Sequence, residues 1–255
     1  MHSTRTQLHT LLQIAYAVLM APALAIAIKL NPSLHRFLST PLISGPFQGE
    51  LNYRIWKHLY RLEAGKLTDE QFIQEIAEAM VTAVEQGELD QFTNLVNEQD
   101  TNLDITLQRC LGYLPLKWWY LKLHYMAPGN RHQLHAHRNV ISAQVIIRGV
   151  LVAEQYDLIG TLSDSPTQLK AVDLPAGNTD NNYLMLLSTT AYCNVHGFEP
   201  APGGALRFQF YLRGHTNFLN RFPKRGRLYV NLRDALTPDG YSLADIGEAG
   251  RPGES

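Results

Sequence analysis

The sequence has little cysteine: Cys110 and Cys193 are the only two among 255 residues. They lie far apart and form no Cys-x-x-Cys pair, which argues against a disulfide scaffold and favours a reducing compartment. The chain also lacks an excess of charge of either sign, since 22 basic residues are balanced by 23 acidic ones. No basic patch rises above that balance, so we expect no nucleic-acid partner.

Long apolar runs are scarce as well, and the one that stands out is near the N-terminus. Leu11 to Ile28 is apolar apart from Gln13, and as a helix it would span roughly 27 Å, near the lower limit for crossing a bilayer. Three alternatives stay open: a single-pass anchor, a buried helix of a soluble domain, or a signal peptide cleaved after Ala23-Leu-Ala25. Pro22 would kink the helix without preventing insertion.

The charges around this run predict its orientation if it enters a membrane. Arg5 alone precedes it, whereas several cations follow it: Lys29, Arg36, Arg54, Lys57 and Arg61. By the positive-inside rule the bulk of the chain then stays in the cytoplasm, anchored to the inner face of the membrane through residues 11–28.

Composition shifts divide the chain into four segments. Hydrophobic residues make up 45% of the sequence, enough for one large core or two small ones. We expect an apolar helix over 1–30, a helical region over 31–105, a β-barrel over 106–235 and a flexible tail over 236–255. The predicted class is therefore α+β, mainly β, with the helices first.

The helical region follows from apolar periodicity and from one capping signal. Residues 31–50 are rich in Pro, Ser and Gly and indicate a linker, and 51–62 is expected to be helical. Thr68 and Gln71 form a capping box before a helix that ends near Gly87, and 88–96 predicts a further short helix. Apolar residues recur on one face of the capped helix: Phe72, Ile76, Met80 and Val84.

The second half carries many short β-type stretches separated by Gly and Pro turn signals. The predicted strands cover 116–126, 140–148, 150–158, 168–174, 183–188, 191–197, 206–212 and 227–231. Short strands at close spacing are typical of an antiparallel sandwich or barrel.

A pair of histidines precedes the second of these strands. If this stretch is extended, His135 and His137 point to the same face. Neutral imidazole suits first-row metals such as iron, nickel, copper or zinc. A lone histidine, His196, follows near the end of a later strand, 59 residues beyond His137.

The arrangement resembles the cupin superfamily. The resemblance rests on Gly129, His135-x-His137 and Gly149, followed by the lone His196 on a later strand, and covers roughly residues 108–212. It implies an antiparallel cupin-type barrel, or jelly roll, with the metal held between its strands. The glutamate ligand of the usual first motif is replaced by Ser142, which implies three histidines and no carboxylate.

Loss of the carboxylate is similar to the thiol dioxygenase branch, typified by cysteine dioxygenase. That similarity implies Fe(II), or another divalent first-row metal, with O₂ and a small-molecule substrate as partners. It further implies Arg109 as the residue that binds the substrate carboxylate and Tyr211 as a proton donor. Gapless alignment places the outer-sphere residues of the branch at Gln209, Tyr211 and Arg213, so Tyr211 keeps the tyrosine role only after a shift of two residues.

The sequence-based hypothesis is thus a mononuclear non-haem iron dioxygenase acting on a small thiol or another anionic substrate. The alternative is a non-catalytic cupin that binds or senses a small molecule while tethered to a membrane. A metal-free, isomerase-like cupin is the third.

Overall fold

A computed structural model describes residues 2–96, 102–111, 118–137, 139–160, 166–174, 183–190, 192–213 and 227–247. Its first ninety-odd residues are helical. The helices are α1 His2–Leu30, α2 Pro32–Ser39, α3 Leu51–Glu63, α4 Asp69–Glu85 and α5 Asp90–Thr93, with a 3₁₀ turn at Thr40–Leu42. The linker expected over 31–50 is wrong where α2 lies, because Asn31 caps that helix by accepting from the N–H groups of Ser33 and Leu34.

α4 forms as its sequence predicts. The Thr68 hydroxyl accepts from the Gln71 N–H and the Gln71 amide oxygen accepts from the Thr68 N–H, so the capping box satisfies two free donors. Phe72, Ile76 and Met80 are fully buried along one stripe of this helix. That stripe attaches α4 to the sheet, where the Phe72 ring lies 6.1 Å from that of Phe210.

α1 packs against the helical layer along one face. Within it, Leu8–Leu30 is long and apolar enough to cross a membrane, although core helices and signal sequences pass the same criterion. Ala17, Ala21 and Leu24 are buried in the main core. The helix is therefore part of the folded domain on one side.

Within the described residues there are ten strands, and all pairings among them are antiparallel. They are β1 Ile43–Ser44, β2 Leu103–Leu111, β3 Trp118–Met126, β4 His132–His137, β5 Val140–Ile159, β6 Thr167–Ala171, β7 Met185–Ser188, β8 Val195–Arg213, β9 Arg227–Leu232 and β10 Tyr241–Gly247. The class α+β, mainly β, with antiparallel strands after a helical region, is confirmed.

Two long strands, β5 and β8, run through both parts of the sheet. Residues 140–149 of β5 pair with 205–213 of β8, next to β3 and β7. Residues 151–156 of β5 pair with 195–200 of β8, next to β4 and β6. The remaining pairings, β4 with β9, β9 with β10 and β10 with β6, close a circuit of six strands.

The bend between the two parts depends on glycine. Gly149 has φ +75°, and a Cβ there would lie 2.1 Å from the carbonyl oxygen of Gly204. Register shifts flank this point on β5, as expected where a strand bends. The two strands can therefore cross this closely only because residue 149 carries no side chain.

Where residues 205–213 of β8 pair with β3 and β5, the two faces of the sheet have different environments. Leu206, Phe208, Phe210 and Leu212 of β8 join the core shared with the helices. The alternating residues Arg207, Gln209, Tyr211 and Arg213 point to the opposite side, into a cavity.

The C-terminal boundary of the barrel differs from the expectation. The flexible tail predicted from 236 is wrong for Tyr241–Gly247, which form β10 and pair with β6 and β9. Leu243 and Ile246 lie three positions apart, so the run shows no period-two alternation, and it lies among Gly, Pro and Asp residues that suggested disorder. Residues 248–255 lie outside the described part.

Candidate metal centre and ligand cavity

The register between β4 and β8 brings the three predicted ligands together. His135 is the direct cross-strand partner of His196. His137 lies two residues further along β4 and shares the face of His135, because side chains alternate along a strand. Potential ligand atoms of the three residues all lie within 4.8 Å of one another.

The imidazole rings face a common centre. Ring centroids are 4.6 Å apart for His135 and His196, 4.9 Å for His135 and His137, and 5.2 Å for His137 and His196. His135 and His196 are buried, whereas His137 is partly open to the cavity. The site therefore has a closed side and an accessible side.

The hydrogen bonding of His135 suits a metal ligand. Its Nδ1 lies 2.7 Å from the carbonyl oxygen of Gln133. Because a carbonyl only accepts, Nδ1 carries the proton and Nε2 is the nitrogen with the lone pair. A ligand imidazole commonly has its second nitrogen fixed in this way. Three neutral imidazoles in this arrangement fit a divalent first-row metal ion, and their chemistry does not specify which one.

Asn194 fixes the end of β4 against β8. Its side-chain oxygen accepts the backbone N–H of His137 at 3.1 Å, and its amide donates to the carbonyl of Thr190 at 3.0 Å. The residue is fully buried. Asn194 thus positions the backbone of one candidate ligand.

The adjacent thiol takes no part in the cluster. Cys193 is buried in a left-handed conformation with φ 49°, and its N–H donates to Asp157. Burial is the main cause that raises the pKa of this thiol to about 12. It is therefore protonated at neutral pH, as expected for an inert cysteine.

The candidate metal centre opens into a cavity of about 500 Å³. Five histidines line it: His124, His132, His135, His137 and His196. Lys122, Arg207 and Arg213 also line it, and among the described lining residues the one carboxylate is that of Asp104, which pairs with Lys122 at 3.1 Å. The formal charge of these lining side chains is positive, so the cavity favours an anionic ligand.

Arg207 is the most buried of these cations, with 1% of its surface exposed. Its guanidinium donates to the Gln144 side-chain oxygen at 2.8 Å and to His124 Nδ1 at 2.8 Å. The guanidinium also lies 5.0 Å from the centroid of the Phe198 ring, which stacks on His196 at 4.9 Å. One aromatic ring therefore separates this fixed positive charge from the histidine cluster.

Two tyrosines and an arginine form the opposite wall. Tyr120 and Tyr211 are cross-strand partners with stacked rings 4.9 Å apart. The Arg213 guanidinium lies 5.2 Å from the centroid of the Tyr120 ring. Burial, the largest cause, raises the pKa of Tyr120 to about 12, although Arg213 opposes the shift. Tyr120 is thus a hydroxyl donor at neutral pH.

The predicted site residues do not all meet. His135, His137 and His196 come together, and Tyr211 lines the same cavity. Arg109 lies opposite Tyr120 on β2, but it is exposed and is not among the described lining residues. Ser142 is buried directly opposite Tyr211. His132, the first residue of β4, lines the same cavity.

Sequence reasoning did not single out Arg207, Lys122 or Gln144. A signal for Arg207 was present in the sequence. Arg207 lies four residues before Tyr211, on a strand whose polar residues alternate with Leu206, Phe208 and Phe210. Period-two alternation places Arg207 and Tyr211 on the same face. Lys122 and Gln144 need the pairing of β8 with β3 and β5, which no local pattern reveals.

Comparison with known proteins gives only weak similarity. No family model and no curated protein matches the chain. Among solved structures, a cupin superfamily protein from Desulfitobacterium hafniense matches at 14% identity and a TM-score of 0.28, over 48% of this chain and 86% of that one. The L-ribose isomerase of Cellulomonas parahominis with L-ribose matches at 12% identity and a TM-score of 0.28, over 44% and 57%.

An L-ribose isomerase variant from Acinetobacter sp. DL28 in complex with L-ribose matches at 14% identity and a TM-score of 0.24. This match covers 36% of the present chain and about half, 47%, of the isomerase. Similarities of this size carry no argument about chemistry, so the conclusions below depend on the residues themselves.

Proposed function

We propose that this protein is a mononuclear non-haem iron dioxygenase of cupin type that acts on a small thiol or another small anionic substrate. The observation that carries the proposal is the cluster of His135, His137 and His196 at one wall of a positively charged cavity. Its volume of about 500 Å³ lies in the range of small-molecule sites.

The donor set is compatible with Fe(II), the metal that the proposed reaction needs. Three protein ligands would leave coordination positions open for substrate and O₂, as the ligand set of non-haem iron oxygenases does. Because all three imidazoles are neutral, Fe(II) would keep its full charge and favour an anionic donor atom. Bound Fe(II) would bring O₂ and that donor together and pass electrons between them, the substrate itself being the net reductant of O₂.

The cations of the chain would bind and orient the substrate. Arg207 is held rigidly by Gln144 and His124, and a fixed guanidinium recognises a carboxylate well. Lys122 and Arg213 would add positive charge nearer the opening. We therefore assign the anion-binding role to Arg207 instead of Arg109.

Protons would be managed by the tyrosine pair. Tyr211 lines the cavity and stacks on Tyr120, so its ring is held in one orientation. We propose that the Tyr211 hydroxyl donates a hydrogen bond to the substrate. His135, His196 and Phe198 are buried, so they would exclude water from the closed side of the histidine cluster.

Elemental analysis combined with oxygen consumption tests the proposal. The protein, purified without chelators, should contain iron and consume O₂ with cysteine, cysteamine, a ring diketone or a flavonol. His135→Ala should lose both the iron and the activity, whereas His9→Ala, which changes an exposed histidine of α1, should keep both.

The other outcomes select the alternatives. Bound metal without O₂ consumption for any substrate would favour a binding or sensing protein. Protein without metal would favour a metal-free cupin. Stoichiometric iron in His135→Ala would contradict the ligand assignment.

A further inference from the structure

We propose that α1 and α2 bind the surface of an anionic lipid bilayer, with α1 lying in the plane of the membrane instead of crossing it. The inference concerns the helical layer and is independent of the histidine cluster. It refines the membrane alternative predicted from residues 11–28.

The docking of α1 argues against a crossing orientation. At one end the Gln13 amide donates to the carbonyl of Pro41, and at the other the Tyr53 hydroxyl donates to the carbonyl of Ile28. Between these bonds Ala17 and Ala21 are buried against the domain. The docked stretch extends for about 22 Å at 1.5 Å per residue, so it cannot enter the bilayer core without leaving the fold.

The opposite face of α1 is apolar and exposed. Its large side chains recur at helical spacing and are open by about half or more: Leu8, Leu11, Leu12, Val18, Leu19 and Ile26. Leu30, Leu34 and Phe37 extend exposed apolar surface from the end of α1 into α2. A continuous apolar surface of this extent marks an interaction site.

The charge around this surface favours anionic lipid. Residues 1–49 contain no Asp or Glu, although the whole chain has 23. The charged residues in this segment are Arg5, Lys29 and Arg36. Basic residues beside an apolar helix face are attracted to the negative surface of a bilayer.

The contacts of two of these cations place them beside the apolar face. The Lys29 ammonium lies 5.2 Å from the centroid of the Tyr60 ring, and tyrosine with lysine is typical of the headgroup region. Arg36 pairs with Glu50 while about half of its side chain stays exposed. A second copy of the chain would bring the same positive charges together, so lipid is the better complement.

Vesicle flotation of the full-length protein tests the proposal. Vesicles of phosphatidylcholine and phosphatidylglycerol in equal parts should float the protein, and vesicles of phosphatidylcholine alone should float less of it. Replacing Leu12 and Leu19 by Ser should weaken binding at least about tenfold, because two large apolar side chains lose their burial in lipid. Val150→Ser with Val152→Ser is the matched control, since both valines are exposed on β5.

A label on the N-terminus distinguishes lying from crossing. A fluorophore there should remain accessible to a quencher added outside the vesicles. Protection of the label would show a crossing helix and overturn the proposal. Absence of flotation would do the same, as would a dimer in sedimentation that Leu19→Ser dissociates. Circular dichroism and metal content of each variant confirm that the fold is intact.

Discussion

His135 and His196 oppose each other across β4 and β8, with ring centroids 4.6 Å apart and ring planes at 87°. Two strands distant in sequence thus supply donors to one point, and the antiparallel register sets their separation. A site built on paired strands holds its geometry more firmly than one built on loops.

Loss of any one of the three imidazoles should reduce metal affinity strongly. His196→Ala removes the donor from β8 and leaves the pair on β4. We expect metal affinity to fall by more than about tenfold, because changes in residues that only surround the ligands already cost that much. Competition with a chromogenic chelator measures it. Metal affinity unchanged in His196→Ala would remove this residue from the ligand set.

Replacement of Arg207 should weaken substrate binding, whereas replacement of Arg109 should not. Arg207→Gln should weaken binding of a thiol that carries a carboxylate, such as cysteine, by about tenfold to hundredfold, since a charged hydrogen bond is lost. Cysteamine, which has no carboxylate, should be affected much less. Arg109→Gln should change neither, because that side chain is exposed outside the cavity lining.

Isothermal titration with the iron-loaded protein measures both affinities. Because Arg207 also donates to Gln144 and His124, thermal unfolding of each variant must be recorded. Arg207→Lys keeps the charge and separates charge from geometry. Equal losses for cysteine and cysteamine would contradict the carboxylate-binding role.

His35 should make stability depend on pH in mildly acidic solution. It is 1% exposed, and burial first and Arg36 second lower its pKa from 6.5 to about 4. Below the unfolded pKa, the unfolded chain binds a proton that the folded chain does not, so stability falls with pH from about 6.5 to about 4. The shift corresponds to about 3 kcal/mol across that window.

Replacement of His35 by Phe should flatten this part of the profile, since the ring contacts with Tyr53 and Trp56 can be kept while the titrating group is removed. Urea unfolding at several pH values measures the slope. His9→Gln, at an exposed position, should leave the slope as it is. An unchanged slope in His35→Phe would assign the pH dependence to other groups.

Gly149→Ala should destabilise the barrel. The added Cβ would meet the Gly204 carbonyl oxygen at 2.1 Å in a left-handed conformation, so the crossing of β5 and β8 must open. We expect a loss of at least about 1–3 kcal/mol. Gly203→Ala is the control, because a Cβ there has no neighbour within 4 Å. Denaturant unfolding of both variants measures the difference.

The sequence predicted those parts of the molecule that depend on local patterns. The capping box at Thr68, the buried stripe of α4 and the same-facing pair of His135 and His137 all follow from spacing within a few residues. The approach of His196 to that pair came from a resemblance, because it depends on the register between β4 and β8.

Other parts could not be read locally. β5 was predicted as two strands divided at Gly149, since a glycine commonly ends a strand, whereas here it allows one strand to bend. Tyr241–Gly247 lacked a strong apolar signal because Ala244 is its one buried residue in the core that it joins. Neighbouring strands, β6 and β9 among them, supply the other apolar side chains there. Arg109 was selected through the similarity to the thiol dioxygenase branch, but tertiary packing leaves it exposed and buries Arg207.

Neighbouring residues of β8 face two different sides of the sheet, the helical layer and the cavity. Phe210 faces the helices and contacts Phe72, while Gln209 and Tyr211 on either side of it face the cavity. The helical layer therefore packs on the back of the cavity wall, and at this point the wall is a single strand thick. A change in how the helices seat on the sheet is transmitted directly to the spacing of the groups that would hold a substrate.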